Sequence, residues 1–202
     1  RPAPFRVGRN ETKDVPMMRT TDSFLYGEDT DLQFIKIPYR LRGFSLLILL
    51  PRVNDAFTQT AELEKKLSAR QISDWAAAAA RRRVALFLPK FRSEGRYALK
   101  ELLGELGMAR AFTRDADFSK MVKEPKNEDG VLHIDSVIHQ AFIELDERGT
   151  EAAAATAVTM ARTTSLESAE KTVEFRADHP FVYCLTDEET GAILFMGRLV
   201  RP

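Results

Sequence analysis

Glu147-Arg148-Gly149-Thr150-Glu151-Ala152-Ala153-Ala154-Ala155-Thr156 opens a stretch, Gly149 to Lys171, in which Val158, Met160 and Leu166 are the only sizeable apolar side chains. Nothing in it can anchor a core. The run from Glu151 to Ala155 has high helix propensity, which fits a surface helix or a flexible linker. Read as a strand, it puts Thr150, Ala152, Ala154, Thr156, Val158 and Met160 on one face, with Glu151, Ala153, Ala155, Ala157, Thr159 and Ala161 on the other. The first face is uncharged, and the second is small or acidic, as a solvent-facing side would be. The stretch is therefore suited to either loop or strand. Long structureless loops inside compact domains are uncommon and are usually functional or disordered. A peptide stored as a loop gains ladder hydrogen bonds if it later joins a sheet. At about 1 kcal/mol net per bond, a dozen inserted residues with modest apolar burial supply on the order of ten kcal/mol. That is comparable to the stability of a whole domain.

Outward from this stretch, short runs suited to strands dominate. Residues 1 to 23 are polar and turn-rich apart from Val15-Pro16-Met17-Met18, and Ser23-Phe24-Leu25-Tyr26 starts a strand series. Leu32 to Tyr39 alternates as a strand with one buried face, and Phe44 to Leu50 reads as one buried on both, with Arg42-Gly43 suggesting the hairpin between them. Leu63, Leu67, Ile72, Trp75 and Ala76 recur at helical spacing, which predicts one or two helices between Thr58 and Ala80. Val84 to Pro89 is a strand continued in extended form by Lys90-Phe91-Arg92. Helix is expected after Gly95, on Tyr97, Leu99, Leu102, Leu103 and Leu106, with Gly107 as its left-handed cap. Asp115 to Gly130 reads as a surface loop. Val131 to Leu145, Thr172 to Phe175, Phe181 to Leu185 and Ile193 to Met196 complete the strands.

Composition bounds the rest. The chain has 202 residues, with 30 Lys+Arg against 30 Asp+Glu, and is 44% hydrophobic, in the range of a globular domain with a sizeable core. Zero formal net charge argues against nucleic acid and anionic membrane as partners, although Arg81-Arg82-Arg83 forms a local basic run. The longest apolar run, Phe44 to Leu50, stops at Pro51 and is far too short to span a membrane. The single cysteine, Cys184, cannot form an internal disulfide and reads as a buried thiol within Phe181-Val182-Tyr183-Cys184-Leu185. The opening Arg1-Pro2-Ala3-Pro4 has no initiator Met, as expected of a processed or excerpted piece.

The segment from Glu147 to Thr156 closely resembles the hinge of the reactive-centre loop of inhibitory serpins. Val15-Pro16-Met17-Met18, Ile37-Pro38-Tyr39, Leu49-Leu50-Pro51, Leu88-Pro89-Lys90-Phe91, Leu103-Gly104-Glu105-Leu106-Gly107-Met108 and Asp115-Ala116-Asp117-Phe118-Ser119 resemble further signatures of that family, in its order. So do Asp178-His179-Pro180-Phe181 and Ile193-Leu194-Phe195-Met196-Gly197-Arg198 near the end. The resemblance implies an α+β serpin fold: mixed and antiparallel sheets, a few helices and an exposed reactive-centre loop at about 149–171. It covers the C-terminal portion of a single serpin domain, residues 1–202, with the N-terminal portion absent from this chain and expected as its partner.

The mechanism so implied is suicide inhibition. A target protease, serine or alternatively cysteine, cleaves the loop, which inserts as a strand before deacylation and traps the acylated enzyme. Glu147 matches an acidic position at the top of the sheet. Gly149 and Thr150 match the hinge; Glu151 lies between it and the small run Ala152, Ala153, Ala154 and Ala155, with Thr156 following. By loop length, cleavage falls between Thr163 and Thr164. If the register slips by one, it falls between Arg162 and Thr163, and trypsin-like enzymes become the natural target. His139 matches a histidine that gates opening of the sheet, the alternative being a satisfied buried histidine. The resemblance implies no cofactor and no metal, a serine-type endopeptidase inhibitor rather than an enzyme, and an extracellular setting, with the cytoplasm of a prokaryote as the alternative.

A hydrolase would need His133, His139 or His179 with a serine and an acid, but the chain lacks a Gly-x-Ser-x-Gly elbow, a His-Glu-x-x-His pair and a Gly-rich phosphate loop. His133, Asp135 and His139 share one side of a regular strand, yet span too far to reach one metal ion without a bend. The stronger rival is a non-inhibitory serpin that acts as a binding or chaperone-like protein. Charged, bulky or proline residues in the hinge would favour it, and this chain has Thr150 and four alanines there.

Overall fold

The computed structural model describes residues 1–39, 43–52, 56–121, 132–147 and 171–202. Contacts divide the chain into two compact units, Arg1–Ser93 with Glu144–Pro202, and Glu94–Ile143.

The first unit is built on an eight-stranded sheet. Strand β1 is Pro2–Arg6, β2 Thr12–Glu28, β3 Leu32–Pro38, β4 Phe44–Pro51 and β5 Ala80–Pro89. Val173–Arg176 is β8, Phe181–Asp187 is β9 and Ile193–Leu199 is β10. Their order is β10-β9-β4-β3-β2-β5-β8, with β1 on the first part of β2. Every pairing is antiparallel except β5 with β8, which is parallel from Val84↔Val173 to Phe87↔Arg176.

Strand β4, central and almost wholly buried, carries Leu46, Leu47, Ile48, Leu49 and Leu50. Both its faces are covered, so its run is continuous rather than alternating. Helices α1 (Ala56–Lys66) and α2 (Ala69–Ala78) cover one face, where Leu63 and Ile72 join Leu32, Phe34, Leu47, Leu49, Val182 and Cys184, with Trp75 against the cluster. Ser68 caps α2, its Oγ accepting from the Gln71 N–H at 3.1 Å. Gly43, at φ +93°, makes the turn into β4 that Arg42-Gly43 suggests. At Gly27 a Cβ would overlap the Phe34 ring, its partner across the ladder, so the bare backbone lets that ring close over β2.

Three readings need correction. The first strand series begins well before Ser23: β2 runs unbroken from Thr12, because its polar residues face outward from a sheet that is half solvated there. The residues around Gly95 form a strand. Phe91–Ala98 is β6, and helix starts only at Lys100 with α3 (Lys100–Leu103), passing into a π-helical turn, Gly104–Met108, and a 3-10 turn, Ala109–Phe112. Gly107 takes the expected positive φ, 102°. Strand β7 is Ile138–Leu145, shorter than the run from Val131, and it pairs with β6 in a two-stranded sheet.

Candidate functional site

The 148–170 segment lies outside the described residues, but the residues on either side of it are described. It leaves from Glu147, two residues beyond β7, and returns at Lys171, ahead of β8. Both ends attach to β5. At the return, β8 lies parallel along β5, starting at Val84↔Val173. At the departure, Lys90, one residue past β5, pairs through its Nζ with the Glu147 carboxylate. Lys90 is itself held, its backbone N–H donating to the Pro16 carbonyl at 2.8 Å. From Val84 to Lys90 is roughly 20 Å of strand at about 3.3 Å per residue. The hydrogen bond and charge of Lys90 hold the Glu147 carboxyl below the ordinary carboxylate value, with neighbouring Asp146 opposing weakly.

Of the residues assigned by resemblance, Gly149, Thr150, Glu151, Ala152, Ala153, Ala154, Ala155, Thr156, Arg162, Thr163 and Thr164 all lie outside the described residues. Glu147 is placed, and its partner Lys90 is the residue that sequence reasoning passed over. Lys90 stands in the quoted Leu88-Pro89-Lys90-Phe91, but no local spacing links it to an acid so far along the chain.

In the second unit His139 lies on β7, exposed rather than buried, its ring stacked on Tyr97 of β6 with centroids 6.4 Å apart and planes 23° from parallel. Gln140 of β7 donates to Glu94 of β6 at 2.9 Å. Among the described residues β7 pairs with β6 alone, which leaves its other edge without a ladder partner. Ile138, Phe142 and Tyr97 are more than half exposed. His133 and Asp135 precede β7 in non-strand backbone, so strand alternation does not join them to His139. Among the described residues no group of three or more His, Cys, Asp and Glu is arranged to hold a metal ion.

Asp178-His179-Pro180 secures the turn after β8. The buried His179 bonds through Nε2 to the Pro51 carbonyl at 2.8 Å and through Nδ1 to Asp178 at 2.9 Å. Arg6 donates its N–H to the Asp178 carbonyl at 2.8 Å, and the Thr60 hydroxyl donates to the Pro180 carbonyl at 3.3 Å. This histidine is a structural knot that fixes where β8 and β9 part.

A broad sheet backed by helices, with a strand pair running into a long segment that returns as a parallel edge strand, is an α+β arrangement of the kind the resemblance implies. The chain belongs to the serpin family, whose model, Serpin (serine protease inhibitor), matches residues 1–202. It is 41% identical over 193 residues to an uncharacterised serpin-like protein of Thermococcus kodakarensis, covering 96% of this chain and 43% of that protein. It is 37% identical to human Serpin B4, covering 98% and 49%, and 36% identical to the leukocyte elastase inhibitor of Xenopus laevis, covering 98% and 51%. Among solved structures it is similar to uncleaved ovalbumin, with a TM-score of 0.78, 26% identity and coverage of 100% of this chain and 48% of that one. A tumour suppressing serpin matches with a TM-score of 0.76 and 29% identity, covering 100% and 51%. The chain thus spans about half the length of the relatives it matches.

Proposed function

We propose that the whole protein is a protease inhibitor of the suicide-substrate type, in which this chain is the C-terminal portion of one serpin domain and 149–171 its reactive-centre loop. The single observation that carries the reading is the setting of the 148–170 segment, which joins β7, whose second edge has no partner among the described residues, to edge strand β8. Attachment points on the order of 20 Å apart need only a few residues, whereas the segment can reach roughly 75 Å when extended. Such slack suits a loop offered to an enzyme, and a free strand edge suits its later insertion. Membership of the serpin family supports protease inhibition in general, and one relative is called a leukocyte elastase inhibitor.

In this reading the protease serine attacks the carbonyl of Thr163 or Arg162, releasing the new amino terminus. The hinge at Gly149 and Thr150 then enters beside β7, and Ala152, Ala153, Ala154, Ala155 and Thr156 follow. Glu151 alternates to the outer face, so no charge before Arg162 is buried. His139, on the strand that gains the neighbour, gates this step. The natural partners are a serine protease, with a cysteine protease as the alternative, and the N-terminal part of the serpin domain. Secretion follows family habit, with a prokaryotic cytoplasm as the alternative; no described helix is long and apolar enough to cross a membrane.

The test is incubation of the full-length protein with trypsin-like, elastase-like and subtilisin-like proteases. An SDS-resistant complex, with a released peptide that begins at Thr163 or Thr164, supports the reading and selects the register. Cleavage without a complex favours the non-inhibitory binding protein.

A further inference from the structure

The basic run Arg81-Arg82-Arg83 stands at the start of β5, and all three side chains are exposed. Alternation puts Arg81 and Arg83 on one face, about 7 Å apart along the strand. Their neighbours across the ladder, Leu25 and Ser23 of β2, are uncharged. Because Val84 pairs with Val173, the exposed Lys171 arrives at the same end of the sheet. The carboxylates of that end are engaged elsewhere, Glu174 with Arg176 and Glu28 with Arg52. Asp22, opposite Val84, alternates to the other face from Arg81 and Arg83. Among the described residues no carboxylate pairs with Arg81, Arg83 or Lys171.

Three exposed cations are few for a polyanion, whose affinity grows with each anionic group neutralised. They count for more with a partner already held close by, because the second contact is then intramolecular. Lys171 is seven residues beyond Thr164. That places it at most roughly 25 Å from the cleaved bond. A protease domain of about 230 residues has a radius of gyration of roughly 17 Å, so an enzyme holding the loop extends to this end of the sheet.

We propose that Arg81, Arg83 and Lys171 form a docking surface for the target protease, which carries carboxylates on the rim of its primed side, where the residues after the cleaved bond lie. The proposal rests on the reading of 149–171 as a reactive-centre loop and adds a charge preference supplied from outside that loop. Charges at such a rim act chiefly on encounter and on its salt dependence.

The test uses the full-length protein and whichever of the trypsin-like, elastase-like and subtilisin-like proteases cleaves 148–170 fastest. The nucleophilic serine of that enzyme is replaced by alanine, so that docking is read without chemistry. Two forms of it are compared, with glutamates or with lysines at the same exposed positions of the primed-side rim. The acidic form is expected to bind at least about ten-fold more tightly at low ionic strength, the gap closing as salt is raised. Arg81→Ser with Arg83→Ser is expected to remove most of the gap and Lys171→Ser part of it, while Arg81→Lys with Arg83→Lys keeps it. Circular dichroism checks that each variant is folded. Equal affinity for the two rims, a gap that survives Arg81→Ser with Arg83→Ser, or no saturable binding of either form overturns the proposal. Binding of dextran sulfate that needs the three cations, with no preference between rims, makes a polyanion the occupant and overturns it as well. Active enzyme separates the two readings: a rim preference without an SDS-resistant complex upholds the docking surface and removes inhibition.

Discussion

Lys90 and Glu147 form an ion pair that ties the end of β5 to the point where the 148–170 segment departs. The pair lowers the affinity of Glu147 for its proton in the folded state relative to its ordinary value of 4.5. Its contribution is therefore complete above the ordinary carboxylate range and is lost as pH falls through the lowered folded value.

Glu147→Gln is expected to lower the thermal midpoint slightly at pH 7, with the gap to the parent protein closing below pH 4 and narrowing in high salt. Thermal melts of both proteins across pH and ionic strength check this. The effect is small because both side chains are substantially exposed.

Thr150→Arg in the full-length protein is expected to convert an inhibitor into a substrate. The loop would still be cleaved, but a guanidinium on the inner face of the incoming strand would halt insertion. The ratio of cleaved protein to SDS-resistant complex measures it. Undiminished complex formation would rule out insertion through that hinge.

Strand β4 and much of its surroundings were legible from residues because full burial leaves an uninterrupted apolar run, as in Phe44 to Leu50. Helices α1 and α2 were legible because Leu63, Ile72 and Trp75 keep helical spacing toward one cluster. Strand β6 was not. Beyond Phe91 its residues are exposed or only partly covered, so no period of 2 marks it, and Tyr97 joins the apolar spacing of the helix that follows. Of the candidate site, Glu147 could be singled out by resemblance, whereas Lys90 could not, since their pairing depends on the sheet bringing distant chain together. The exposure of His139 was equally hidden, because β7 and β6 make a sheet of only two strands among the described residues.

Leu49→Ala is expected to cost about 3 kcal/mol in urea unfolding, because Leu49 is fully buried where β4 meets α1 and α2. Leu194→Ala, at a side chain nearly half exposed on β10, should cost less than about 1 kcal/mol in this chain.

Cys184 should resist alkylation in the folded protein at pH 8 and react at once on unfolding. The thiol is fully buried, and desolvation pushes its pKa to about 11, which leaves little thiolate to attack. Iodoacetamide labelling followed by mass spectrometry, with and without denaturant, checks it. Rapid native labelling would mean that the β4–β9 region opens readily.

The central claim, that the 148–170 segment becomes a strand of the sheet after cleavage, is tested most directly by thermal midpoints of the full-length protein before and after limited proteolysis within that segment. Insertion worth on the order of ten kcal/mol is expected to raise the midpoint by at least about 10 °C in a protein of serpin length. A midpoint that is unchanged or lower after cleavage would contradict it.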